Sequence, residues 1–342
     1  MSGKSSAADG TTEQSDGATE PIVAVPCEGA DVLALCSLAT GERLGEISVG
    51  SHPVHATTHA GRTFVATMGD RAVTAVVPDG DVDRIGTGVL GPSHFTVAND
   101  TLFVACSAGD AVAAIDPHAL ELADRIAVGA EPHELAASST GDRLYAGSRR
   151  DGAVDVVDAV GHERIAAVDV GPDARVQGVA LGPDEDRGYA IDQAGARVVA
   201  FDPSAAERET GDAVRETADV GADPYDLVVA DDRVFVPGRG DGVIHEFDPD
   251  LSVRTVHEGF SRPVDLFRID GQWWVLDAEA AGLRSLDGDA VDTPAPGLVA
   301  TSVDGGLVVS HYDDDRVSLV DVADGAVWTT TVPAYPFGSV VV

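Results

Sequence analysis

Two residues after a recurring proline, or its equivalent, the sequence sets out His55, His94 and Glu134, then Gly178, Asp226, Asp265, Val299 and Gly338. Two imidazoles and a carboxylate form a suitable donor set for a divalent cation such as Zn, Mn or Fe, so His55, His94 and Glu134 are the candidate metal ligands. Asp226 and Asp265 add two carboxylates at the same phase and are candidates for holding a ligand. Arg149, Arg150, Arg239, His311 and Tyr312 recur at a second phase, after the next apolar run. There the arginines would hold an anionic group, Tyr312 would join the ligand-binding set, and His311 or His133 would move a proton. The bland reading of the same residues is hydrogen bonding to neighbouring loops, because buried polar groups must be paired. An offset of one residue in the repeat would bring in His133 or Gln177.

These residues lie far apart in the chain, so only a ring of repeated elements can bring them together. The repeat is a Pro-led apolar strand, a turn with Gly or Asp, a second strand, another turn, and a third strand ending in Asp. It is clearest from Pro53, Pro92 and Pro132, and returns near Val176, at Pro224 and Pro263, and near Gly297. The last copy, Tyr335 to Val342, stops after one strand, while the segment from Pro21 to Gly50 supplies three strands and lacks a first. Strands from both ends in one sheet would close the ring and remove the free edges. The expected fold is therefore all-β: a propeller of eight four-stranded blades, or seven if the short copy after Pro263 is not a blade. First strands would line the central channel.

Most of the conspicuous acids read as punctuation. Asp116, Asp158, Asp202, Asp248 and Asp321 share one phase, at the end of the third strand, where an Asp accepts from the following amides and starts a turn. Asp70, Asp110, Asp151 and Asp241 share another, at the hairpin before the third strand. Trp273 and Trp274 are neighbours on one strand and should pack on its two faces. Cys36 and Cys106 read as core, whereas Cys27 falls near a turn, a position open to exposure, and nothing marks it as a nucleophile. Walker, GxGxxG, GxSxG and HExxH motifs are missing, which leaves nucleotide binding and serine hydrolysis without motif support.

The openings Pro132-His133-Glu134-Leu135 and Pro224-Tyr225-Asp226-Leu227 resemble those of YVTN-type propeller repeats. So do the strand endings Ile115-Asp116-Pro117, Phe201-Asp202-Pro203 and Phe247-Asp248-Pro249. The chain is more loosely similar to the propeller lactonases related to 6-phosphogluconolactonase. The resemblance spans residues 21–342 and implies architecture; such families include enzymes, ligand sensors and scaffolds. Three functions follow as expectations. The first is a binding module presenting its channel mouth to a small molecule or protein. The second is a metal-assisted lactonase, esterase or lyase at that mouth, with Arg149, Arg150 or Arg239 holding an anionic substrate. The third is an eight-bladed redox propeller with a quinone or haem-type cofactor, for which the sequence has no attachment motif.

Composition narrows the partners. Of 342 residues, 58 are acidic and 22 basic, giving a net charge of −36, and Lys4 is the only lysine. A carboxylate-rich surface of this kind suits a cytoplasm of molar salt, so the expected source is a halophile. It offers no basic stripe for nucleic acid. Three cysteines without a CxxC fit a reducing compartment. Residues 1–20 are small and polar, read as a disordered tail rather than a secretory signal. No apolar run is long enough for a membrane helix. The expectation is a cytoplasmic monomer.

Overall fold

The computed structural model describes residues 20–77, 80–208 and 213–342, and the tail expected over residues 1–20 therefore falls, but for Glu20, outside the described residues. The described residues form eight antiparallel sheets of four strands, arranged in a ring: an eight-bladed β-propeller. Blade 2 comprises Pro53–His59, Arg62–Thr67, Ala72–Val76 and Val82–Gly86, and blade 3 Pro92–Ala98, Thr101–Cys106, Ala111–Asp116 and Glu121–Ala127. Blade 4 comprises Pro132–Ala137, Arg143–Ser148, Ala153–Asp158 and Glu163–Asp169, and blade 5 Val176–Leu181, Gly188–Asp192, Arg197–Phe201 and Val214–Asp219. Blade 6 comprises Val228–Ala230, Arg233–Gly238, Val243–Phe247 and Val253–Glu258. Blade 7, the short copy, is complete: Pro263–Ile269, Gln272–Asp277, Leu283–Ser285 and Ala290–Val291. Blade 8 comprises Val299–Val303, Gly306–His311, Arg316–Asp321 and Gly325–Thr331.

Blade 1 is shared between the two ends of the described chain. Its order runs from Arg43–Ser48 through Val32–Ser37 and Ile22–Cys27 to Val340–Val341, the innermost strand. The Ile22 amide donates to the Val342 carbonyl at 2.9 Å, the Val342 amide returns the bond at 2.8 Å, and the Phe337 amide donates to Pro26 at 2.9 Å. The same segment lies beside blade 2, where the Gly338 amide donates to Val54 at 2.9 Å and Gly338 accepts from Ala56 at 3.1 Å.

Second and third strands are apolar on both faces because each blade is sandwiched between two others. Thr101–Cys106 buries five of its six residues, and Phe103 packs with Leu144 and Ala146 of the next blade. With few aromatics, Val, Ala, Leu and Ile do most of this filling, each large side chain contributing roughly 1.5–3 kcal/mol on burial. Trp273 and Trp274 do pack on opposite faces, against Phe235 and against Leu276 with Leu307 respectively. Cys27, which its nearby turn left open to exposure, is fully buried beside Val25 and Val308, and burial pushes its thiol up to about 12. The strand that carries it is roofed by the closing segment, which the local turn signal does not reveal.

The punctuating acids act as read, with one exception. Asp116 Oδ1 accepts from His118 and Ala119 at 2.8 and 2.9 Å, and Asp158, Asp202 and Asp321 repeat the pattern. Asp248 instead binds Arg254 at 2.8 Å. The hairpin acids reach further and pin the segments that lead into inner strands. Asp110 accepts from the Glu131 amide at 3.0 Å, Asp70 from Ser51 at 2.7 Å, and Asp151 and Asp241 from Ala130 and Ala222 at 2.8 Å.

Candidate functional site

The inner strands do not keep the two-residue alternation of a regular strand. In blades 2 to 5 the pairing slips by one residue just after the strand begins, as between Pro132 and Leu135 opposite Ser148 and Ala146. Two residues, His133 and Glu134, thus stand opposite the single Gly147. Such a β-bulge re-aims side chains. Here it lets neighbouring residues face the axis together, so His133 joins Glu134; in blade 6 Tyr225 and Asp226, which precede the inner strand, both line the cavity as well. The offset that sequence left open, Glu134 or His133, has both as its answer.

The result is an axial cavity of about 510 Å³ to which every blade contributes. Its polar lining residues include His55, His94, His133, Glu134, Gln177, Asp226 and Asp265, and its apolar ones Phe95, Val264, Val299 and Phe337. Gly178 helps to shape it, because a Cβ there would press on Leu227 at 3.0 Å and on Asp226 Oδ1 at 3.4 Å.

Three imidazoles run side by side, with ring centroids 4.6 Å apart from His55 to His94 and 4.2 Å from His94 to His133. Phe337 closes one end of the row at 4.9 Å and Tyr225 the other at 5.7 Å. Burial holds all three well below the usual range, with His94 at about 4 and His133 at about 3, and His94 depresses both its neighbours further. They are therefore neutral near pH 7. His133 Nδ1 faces the Gln177 carbonyl at 3.0 Å, an acceptor only, so Nδ1 carries the proton and the Nε2 lone pair is turned to Gln177 Nε2 at 3.0 Å and the Tyr225 hydroxyl at 3.3 Å.

Glu134 Oε2 lies 3.7 Å from His94 Nε2. This is no ion pair, because the imidazole is neutral and burial raises the Glu134 carboxyl to about 7. Asp226 is also raised to about 7, by burial and then by Glu134, and Asp265 is pushed well above the carboxylate range by burial and then by Asp226. The carboxylate tips border the cavity, but protein surrounds them, and each opposes the ionisation of the others. Donor atoms of His94, His133 and Glu134 all lie within 4.8 Å of one another. Two ligands about 2.1 Å from one tetrahedral ion sit about 3.4 Å apart, so a His94–Glu134 separation of 3.7 Å is close to that of a coordinated pair. His55, expected in the donor set, is not in that group of atoms, whereas His133 is.

The second-phase residues divide. Arg239 lines the cavity, its guanidinium 4.1 Å over the Tyr225 ring and bonded to Asp223 at 3.0 Å. Arg149 and Arg150 line a separate recess with Arg175. His311, expected at the mouth, is fully buried away from the cavity. Its Nδ1 faces the Pro296 carbonyl at 3.1 Å and its Nε2 the Ser318 hydroxyl at 3.0 Å, which commits both nitrogens to its own blade and the loop before it. Tyr312 donates to Glu28 at 2.7 Å and stacks on Tyr335 at 5.0 Å, fastening blade 8 to the closing segment. Tyr225 is the lining residue that sequence did not single out. Tyr225 follows Pro224 as His133 follows Pro132, and that shared position in the repeat is the signal that could have found it.

No family model matches the sequence, and no curated protein matches it. Solved structures with the same architecture do. Apo AztD from Citrobacter koseri is 16% identical with a TM-score of 0.65, over 94% of this chain and 97% of that one. Dihydro-heme d1 dehydrogenase NirN in complex with DHE is 13% identical with a TM-score of 0.68, over 93% and 74%. A putative 6-phosphogluconolactonase from Bacteroides fragilis is 13% identical with a TM-score of 0.60, over 96% and 99%. At these identities the shared property is the fold. Among the described residues no helix is long and apolar enough to cross a membrane.

Proposed function

We propose that the chain is a binding propeller whose axial cavity captures a divalent transition-metal cation on His94, His133 and Glu134. The observation that carries this reading is the convergence of those three donors within 4.8 Å in a cavity. Neutral imidazoles offer a lone pair to a cation, and the His133 Nδ1–H bond to the Gln177 carbonyl is the outer-shell contact that orients a ligating histidine; at Nε2 the ion would displace the Gln177 amide and the Tyr225 hydroxyl. A cation would also relieve the mutual repulsion of Glu134, Asp226 and Asp265. Two imidazoles and a carboxylate suit Zn, Mn or Fe.

The test is titration of chelator-treated protein with Zn²⁺ and Co²⁺ by calorimetry and, for Co²⁺, visible spectra. One equivalent should bind to wild type, and His94→Ala, His133→Ala and Glu134→Gln should each lose at least tenfold in affinity, as removal of a direct ligand implies. His55→Ala should lose far less. Wild type that takes up no stoichiometric metal, or His94→Ala and His133→Ala variants that bind like it, would refute the assignment.

The size of the cavity and its apolar lining residues favour a second reading, hydrolysis of a lactone or ester by water. The ion would polarise the carbonyl, water would add to it, and His55, the imidazole left outside the donor set, would take the proton of that water and pass it to the leaving alkoxide oxygen. Turnover of simple lactones or esters by metal-loaded wild type, abolished in His94→Ala, would support it; metal binding without turnover would leave the binding reading alone.

A further inference from the structure

Away from the axial cavity, one recess runs against the composition of the chain. Arg149, Arg150 and Arg175 line it with Glu131, Ser107 and Ala108, around a volume of about 380 Å³. They come from the turns that follow the second strands of blades 3 and 4 and from the segments leading into the inner strands of blades 4 and 5. These are the segments that border the axial cavity, so the recess opens on the same face.

Three guanidinium groups here meet one carboxylate. Arg150 is paired with Glu131 at 2.8 Å. Arg149 and Arg175 have no ion pair among the described residues, in a chain with 58 acids to choose from. The nearby acids are already committed. Asp110 and Asp151 accept from the amides of Glu131 and Ala130, and Asp192 holds Arg197 at 2.7 Å and the Arg175 amide at 2.9 Å. Arg149 is half-buried, and no side-chain hydrogen bond reaches it or Arg175 among the described residues, although both border the recess. A charged donor left without a partner is costly. An anion in the recess would meet the guanidinium nitrogens that border it, and their planar fork matches the oxygens of a carboxylate or phosphate.

We propose that this recess is an oxyanion subsite, which takes the carboxylate or phosphate group of a small molecule on Arg149 and Arg175. It does not depend on the metal reading, since none of its residues lines the axial cavity.

The experiment is calorimetric titration of the full chain with inorganic phosphate and, separately, with malonate, at fixed potassium chloride concentration. Saturable binding of one equivalent of either anion is expected, and the tighter of the two identifies the group that is recognised. Arg149→Gln/Arg175→Gln should bind at least tenfold more weakly. Arg175→Gln alone, at an exposed position that leaves the circular dichroism unchanged, should bind several-fold more weakly. His94→Ala should bind like wild type, which keeps a failure of the metal site distinct. Absence of saturable binding, a double variant that binds like wild type, or loss of binding in His94→Ala would each overturn the proposal.

Discussion

Glu134, Asp226 and Asp265 hold their protons to higher pH in the folded protein than in an unfolded chain, where carboxyls ionise near their ordinary values. An acid whose folded value is raised favours the native state at low pH, and that contribution is lost as pH rises through the ordinary carboxylate value toward about 7. The three cavity histidines act in the opposite sense. Their folded values lie below the unfolded one, so they cost stability as pH falls below about 6.5 and nothing above it. Between pH 6.5 and 8 only the carboxylates count, and metal-free protein should become less stable across that interval. Asp226→Asn or Asp265→Asn should stabilise metal-free protein at pH 8 by on the order of 1–3 kcal/mol, and do little at pH 5. Chemical denaturation at the two pH values measures this; a variant no more stable than its parent at pH 8 would mean the carboxylates do not repel one another.

At the scale of elements, the bulged inner strand and the closing strand decide what the axis presents. A regular strand would show the axis every second residue, and His133 or Glu134 would face it, not both. The closing strand passes so close to blade 2 that a Cβ on Gly338 would collide with His55 Nδ1. Gly338→Ala should therefore displace the imidazole or the strand and cost about 1–3 kcal/mol. Gly45→Ala, on an outer strand where a Cβ meets nothing within 4 Å, serves as the control and should be neutral or mildly stabilising. Equal thermal stability of the two variants would show that the closure tolerates a looser fit than its geometry indicates.

For the whole molecule, charge dominates. Even with every basic group paired, 36 acids remain uncompensated. Screening shortens from about 8 Å at 0.15 M salt to about 3 Å at 1 M, which removes much of their repulsion. We expect the melting temperature to rise between 0.1 and 2 M potassium chloride by roughly 5 °C, corresponding to about 3–4 kcal/mol. A flat or falling melting temperature would contradict the reading of the surface as an adaptation to high salt.

The ring, its eight copies and its closure by the two ends were legible because their signals are local and repeated: apolar runs, turn residues and a truncated last copy beside an incomplete first. The phase that faces the axis was legible too, which is why His94, Glu134, Asp226 and Asp265 meet where the repeat places them. What pairs with what was not. A bulge adds one residue without changing composition, so the presence of His133 at the axis beside Glu134 and the row of three imidazoles emerged only in three dimensions. His311 shares a strand end with residues that reach the face, yet the Pro296 carbonyl and the Ser318 hydroxyl claim both its nitrogens. Local pattern sets which element a residue joins; the neighbours that satisfy its polar atoms come from other blades, and only packing brings them within reach.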